Sequence, residues 1–178
     1  MDIEKSQEPA PINISLARDT ALNAKGLVVL AFFLIIVLGG GTAIGVMTLP
    51  GAWYADLVKP SFNPPNWVFG PVWTVLYIAI AVAGWRCWTR DPQGRGFKIW
   101  VVQLLANFAW SPLFFAAQRT DIAFGVILFM LIAIVAFIWV AWPRDRIAAA
   151  LFVPYAAWVA FASVLNGAIL FLNLPAAG

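Results

Sequence analysis

Within the stretch 96–118, Gln103, Asn107, Trp110 and Phe114 recur at i, i+4, i+7 and i+11, which places two amides and two aromatic rings on one helical face. Leu151, Tyr155, Trp158, Ala162 and Asn166 make a similar stripe, and Gly70, Trp73, Tyr77 and Gly84 make a third. Amides turned towards lipid are expensive, so in an apolar chain these faces point into a bundle. Interhelical hydrogen bonding alone would account for Gln103 and Asn107. Large aromatics on the same faces add flat walls, and a cavity with flat walls and few polar handles suits a planar, largely apolar ligand.

Conventional catalysis has few means here. The chain has no histidine, which removes the commonest general base, the commonest metal ligand and the usual haem axial ligand. Cys87 is the single cysteine, so there is no internal disulfide and no support for a thiolate metal cluster. Ser111 and Ser163 have no base partner, no paired carboxylates occur, and Gly39, Gly40 and Gly41 lie in an apolar run rather than after a strand. No metal site is expected and no cofactor is required. Any chemistry would come from a ligand, from light or from tryptophan itself.

The elements that must position these faces are membrane helices. The chain has 178 residues, 63% hydrophobic and 11% charged, with mean hydropathy +0.88, whereas soluble domains carry about 25% charged residues. Five sustained apolar runs each reach the length of about 20 residues that a bilayer requires of a helix. They predict an all-α membrane protein with helices over about 26–49, 67–90, 96–118, 121–142 and 147–172. The runs lack the alternation of barrel strands. Together they form one transmembrane domain, 26–172, preceded by a disordered polar tail, 1–25, rather than a signal peptide. Short later loops predict that sequential helices are antiparallel neighbours.

Counting Lys and Arg by side orients the chain. Lys5, Arg18, Lys25, Arg86, Arg90, Arg95, Lys98, Arg144 and Arg146 fall on one side, and Lys59 and Arg119 on the other. The N-terminus is then cytoplasmic if the protein sits in a plasma or bacterial inner membrane. The net charge of +3 needs no nucleic-acid partner. No Asp, Glu or Lys occupies a span interior, and Arg86 is expected to snorkel from the end of the second span. A chain without buried ionisable groups is a poor candidate for an ion-coupled carrier.

The connection 50–66 is neither polar nor flexible. Pro60, Pro64 and Pro65 fix φ and remove donors, so the segment is expected to be stiff and non-helical. Its aromatics Trp53, Tyr54, Phe62 and Trp67 would be costly to leave in water. This structured first loop is expected to act as a lid over the bundle. Trp85, Trp88, Trp100, Trp139 and Trp142 cluster at span ends and suggest an interfacial belt. Pro112 should kink the third helix and free the carbonyl near residue 108, with Ser111 placed to satisfy freed backbone groups. Gly41 and Gly45 give a small-xxx-small spacing that serves either a dimer contact or close packing within one chain.

The run Trp53-Tyr54, Lys59-Pro60, Asn63-Pro64-Pro65-Asn66-Trp67-Val68-Phe69, Gly70-Pro71-Val72-Trp73-Thr74 and Leu76-Tyr77 resembles the tryptophan-rich sensory protein and translocator protein family, also known as TspO or the peripheral benzodiazepine receptor. Gln103-Leu104 with Asn107 and Trp110, Pro112 with Phe114-Phe115, and Pro154-Tyr155 with Trp158, Phe161-Ala162 and Leu165-Asn166 extend the resemblance over about 27–172. It implies a five-helix bundle, usually a homodimer, with a pocket beneath the first loop. Tetrapyrroles (porphyrin or haem), sterols and isoquinoline- or benzodiazepine-type drugs are the implied ligands, and membrane lipid the surroundings. By the same resemblance, Trp73 and Trp158 match tryptophans implicated in porphyrin handling. Tyr54, Asn107 and Trp110 match pocket positions, and Ala162 matches a small position linked to ligand binding.

The expected function is therefore tetrapyrrole binding by a sensory or regulatory protein of a bacterial inner or outer membrane. Tyr54, Phe62, Trp73, Tyr77, Gln103, Asn107, Trp110, Phe114, Tyr155, Trp158, Ala162 and Asn166 are the candidate ligand-binding residues. The alternatives are light- and oxygen-dependent porphyrin degradation, with Trp73 and Trp158 as photoredox groups, and a porphyrin or sterol carrier. Phe62 stands where many members have Trp, and Phe108 where animal members do. No basic residue follows Arg146, so the animal cholesterol motif after the last span is missing.

Overall fold

The computed structural model describes residues 24–174. The expected tail 1–25 lies almost wholly outside that range. Among the described residues all regular structure is helical, and five helices are long and apolar enough to span a membrane. They are α1 (Ala24–Met47), α3 (Asn66–Arg90), α4 (Arg95–Ala116), α5 (Thr120–Ala141) and α6 (Arg146–Leu172). The chain is a multi-pass integral membrane protein.

The remaining helix, α2 (Ala52–Asp56), is a single turn inside the connection between α1 and α3, closed by the Ala55 N–H donating to the Gly51 carbonyl at 3.1 Å. It corrects the expectation of a wholly non-helical connection. The reason is position: the prolines begin at Pro60, and residues 52–56 lie far enough ahead of it to keep their donors. Beyond α2 the chain turns at Pro60–Asn63, where the Asn63 N–H donates to the Pro60 carbonyl at 3.0 Å.

Two spans contain a wider π-helical turn, Ile35–Gly39 in α1 and Pro112–Ala116 in α4. Pro112 has no N–H, and the ladder resumes when the Ala117 N–H donates to the Pro112 carbonyl at 2.8 Å. Ser111 does not serve as a local patch. Its hydroxyl pairs with the Thr48 hydroxyl at 2.6 Å and so ties the outer ends of α1 and α4.

The bundle packs α6 against α5 and α3, α5 against α4, and α1 against α3, with a lighter contact between α1 and α4. Sequential antiparallel packing thus holds except at α3 and α4, which meet over only a short length. They are close where Gly84 admits the Trp100 indole, whose Nε1–H donates to the Ile80 carbonyl at 2.8 Å. Towards the other end Trp73 and Tyr77 on α3 and Asn107 and Trp110 on α4 border one open volume. That open volume is the cavity described below, and it lies between helices that share few contacts.

The tryptophan belt divides. Trp139 is 82% exposed, and Trp142 and Trp88 are also open to the surroundings, as an interfacial belt requires. Trp85 and Trp100 are buried. Trp100 stacks on Phe97 and meets Phe33, so it is core rather than belt. The snorkelling expected of Arg86 is also corrected. Its guanidinium donates to Asp145 through Nε and Nη2, both at 2.9 Å, and Arg90 Nε joins the same carboxylate at 2.9 Å. Asp145 is 5% exposed and caps α6 by accepting from the Ile147 and Ala148 N–H groups. A bidentate partner within reach satisfies an arginine better than stretching to the interface does.

Candidate functional site

The half of the bundle next to the α1–α3 connection holds a cavity of about 590 Å³. Trp73 and Tyr77 form one wall, with ring centroids 5.3 Å apart and a shallow interplanar angle of 33°. Trp110 and Phe114, stacked at 5.2 Å, form another part of the wall. Trp110 is held in place because its Nε1–H donates to Asn166 Oδ1 at 3.0 Å, while Asn166 Nδ2 donates to the Thr120 carbonyl at 3.1 Å. Asn107 is 5% exposed and lies at the boundary between cavity and core. Its Oδ1 accepts from the Tyr77 hydroxyl at 3.4 Å and its Nδ2 donates to the Tyr155 hydroxyl at 2.9 Å.

Of the twelve residues expected at the site, Tyr54, Trp73, Tyr77, Asn107, Trp110, Phe114, Ala162 and Asn166 line this cavity. Four do not. Tyr155 and Gln103 are fully buried behind Asn107, with the Tyr155 hydroxyl donating to Gln103 Oε1 at 3.0 Å. They orient the amide rather than face the open volume. Trp158 stands behind Phe69, a wall residue, at 5.8 Å edge to face. Phe62 is 48% exposed and meets only the edge of Phe161 at 6.3 Å. Of the stripe Tyr155, Trp158, Ala162 and Asn166, only the later part reaches the cavity, where α6 lines it with Ala162, Leu165, Asn166 and Ile169.

The wall contributed by α1 has no counterpart among the expected residues. Leu38, Gly41, Ile44 and Gly45 line the cavity, as do Phe69 and Gly70 at the start of α3. These are apolar or small, and nothing in their types distinguishes a cavity wall from a lipid face. The glycine spacing was the available signal. A Cβ on Gly41 would overlap the Tyr77 ring and one on Gly40 would press on Phe108, so both glycines serve packing within the chain. Gly45 and Gly70 meet nothing within 4 Å and border open space.

The connection between α1 and α3 contributes Leu49, Pro50 and Tyr54 to the cavity wall. Tyr54 is 6% exposed and packs edge-on against Phe114 and Phe115 at 6.2 and 5.3 Å, and Trp53 meets Phe114 at 6.0 Å. Burial pushes the Tyr54 phenol up, against the opposing effect of its hydrogen bond to Asn63, so it remains a neutral donor. A tether absent from the sequence-based set comes from the end of α6. Asn173 Oδ1 accepts from the Val58 N–H and Asn173 Nδ2 donates to the Val58 carbonyl, both at 2.9 Å, as a strand neighbour would. Asn173→Ala should accelerate amide exchange at Val58 at least tenfold, because these bonds are worth about 1 kcal/mol each. Exchange as slow as in the parent chain would mean that proline stiffness alone holds the connection.

The cavity wall contains rings, aliphatic side chains, amides and hydroxyls, and no charged residue. It can stack a flat molecule and hydrogen-bond it at one or two points. A family model described as the TspO/MBR family matches residues 31–172. The chain is 35% identical over 135 residues to the tryptophan-rich sensory protein of Cereibacter sphaeroides, covering 76% of this chain and 85% of that one. It is 38% identical over 160 residues to the tryptophan-rich protein TspO of Chlorobaculum tepidum (84% and 98%). The translocator protein of Homo sapiens is 40% identical over 121 residues (64% and 70%).

Proposed function

The chain belongs to the TspO/MBR family, and from that premise we propose that it is a membrane sensory or regulatory protein that binds a tetrapyrrole, porphyrin or haem, in the cavity beneath the α1–α3 connection. The observation that carries this reading is two aromatic pairs, Trp73 with Tyr77 and Trp110 with Phe114, in the wall of one volume of about 590 Å³. Pockets for drug-sized ligands span roughly 300–1,000 Å³. The ring system would stack against these pairs, Asn107 would supply the polar contact, and the connection would act as the lid. With no histidine in the chain, stacking rather than iron ligation would dominate, so protoporphyrin and haem should bind comparably. The membrane would be a bacterial inner or outer one, the charge asymmetry placing the N-terminus in the cytoplasm if it is the inner, and a homodimer fits the family.

The test is a titration of purified protein with protoporphyrin in the dark. Trp73→Ala should weaken binding by about 30-fold, the 2 kcal/mol typical of a central aromatic anchor. Trp158→Ala acts through Phe69 and should lose less than tenfold. Trp139→Ala, on the exposed face of α5, should change nothing. Unchanged affinity in Trp73→Ala would remove this cavity as the binding site.

A second reading, light- and oxygen-dependent breakdown of the bound porphyrin, is favoured by one observation. The Trp73 ring lies 5.3 Å from Tyr77 and 6.4 Å from Tyr155, which puts oxidisable side chains in a row beside the ligand. Formation of the same product in the dark or without dioxygen would exclude it.

A further inference from the structure

Among the described residues, no charged side chain lines the cavity. Its polar groups are neutral amides and hydroxyls, among them Asn107, Asn166, Thr48 and Ser111. An acid group carried inside this wall would be a desolvated ion without a counter-charge, which is strongly unfavourable. A ligand with both a flat ring system and acid groups must therefore leave the acid groups at the rim.

Among the described residues, the charged side chains at that end of the bundle are Asp56, Lys59, Arg119 and Asp121, and Asp56 is exposed and forms no ion pair. Arg119 is engaged by Asp121, through Nε at 2.9 Å and Nη2 at 2.7 Å. Lys59, in the connection, forms no ion pair. Its ammonium donates to the Ala55 carbonyl at 3.0 Å and the Leu57 carbonyl at 3.1 Å and stands 4.7 Å above the Tyr54 ring. Tyr54 is itself part of the cavity wall. A half-buried cation with no carboxylate in ion-pair distance thus stands over the ring of a cavity-wall residue, without itself lining the cavity, and is held by two backbone bonds that leave one of its three donors free.

We propose that Lys59 is the anchor for a carboxylate of the cavity's ligand, so that the site selects a planar ring system bearing an acid group at one edge. This rests on the ring-binding reading above. The ammonium is fixed before the ligand arrives, so little side-chain freedom is lost on pairing. The acid group sits at the rim, where the wall is no longer apolar, and the rings remain among Trp73, Tyr77, Trp110 and Phe114.

The test compares protoporphyrin, a dicarboxylic acid, with its dimethyl ester, in the dark, on the purified chain and on Lys59→Met and Lys59→Arg. Lys59→Met keeps the length of the side chain without the charge. It should weaken the free acid about tenfold and leave the ester unchanged, and Lys59→Arg should recover most of the loss. Raising the salt concentration should weaken the acid, but not the ester, in the parent chain. Equal loss of acid and ester in Lys59→Met would show that Lys59 only supports the connection and would overturn the anchor. So would unchanged acid binding with Trp73→Ala still defective, in which case ring binding survives. Failure of both compounds to bind the parent chain would overturn ring binding and the anchor together.

Discussion

Asp145→Ala is expected to destabilise the bundle by about 3 kcal/mol, the low end of the range for breaking a buried ion pair. The low end applies because the Arg86 side chain is 22% exposed and that of Arg90 50%, so water screens part of the loss. Two effects combine in this one substitution. It leaves Arg86 and Arg90 without their shared carboxylate, and it removes the acceptor for the Ile147 and Ala148 N–H groups at the start of α6. Asp145→Asn separates them, since the amide oxygen still caps the helix while the charge is gone. Thermal unfolding in detergent, followed by loss of helical signal, gives the comparison. Unfolding of Asp145→Ala at the parent temperature would mean that the pair contributes nothing.

The same carboxylate gives a pH dependence with a definite sign. Burial alone pushes the Asp145 carboxyl up, but the Arg86 hydrogen bonds, the Ala148 N–H and the charges of Arg86 and Arg90 outweigh it and hold it below the usual carboxylate range. A group depressed in the folded state stabilises above its unfolded value, about 3.9 for aspartate. That contribution is lost as pH falls from there through the folded value, because the unfolded chain takes up the proton first. The stability of the parent chain should therefore fall more steeply than that of Asp145→Asn below about pH 4 and run parallel to it near neutrality.

Gly84→Ala should cost about 3 kcal/mol despite adding a single methyl group. A Cβ there would overlap the Trp100 indole. That ring has no room to retreat: it stacks on Phe97 at 5.6 Å and meets Phe33 at 5.2 Å. Overpacking costs about 1–3 kcal/mol, and displacing the indole also strands its Nε1–H, now bonded to the Ile80 carbonyl, for about 1 more. Gly125→Ala is the control. Gly125 meets nothing within 4 Å, so alanine there should be neutral or stabilise by up to about 1 kcal/mol through helix propensity. Equal stability of the two variants would show that α3 and α4 can separate at Gly84 without loss. Separation there would also move the two cavity walls, so ligand binding by Gly84→Ala reports on the same contact.

Much of the site was legible in the chain because polar groups are scarce in it. Asn107, Trp110 and Asn166 stand out on apolar helices, and their spacing placed each on an inward face. Three kinds of information were not legible. The α1 wall, Leu38, Gly41 and Ile44, is built from residues that serve equally well against lipid. Asn173 is one asparagine after a long span, and its bond to Val58 joins positions 115 residues apart, which no local pattern reports. Arg86 and Asp145 pair across 59 residues for the same reason.

What the sequence by itself determined was the medium and the elements. Runs of apolar residues longer than a bilayer is thick must be helices, since only a helix satisfies its own backbone there. The periodicity of the few amides and tryptophans then determined which faces turn inward. Only the tertiary structure decided depth: that Tyr155 and Gln103 stand behind Asn107, that Trp158 stands behind Phe69, and that Trp100 is core. The physical reason is that a helical period specifies an angle around an axis, whereas reaching a cavity also depends on where neighbouring axes cross. Here α3 and α4 are held together by the close contact of Gly84 with Trp100 at one end, and the cavity lies between them at the other.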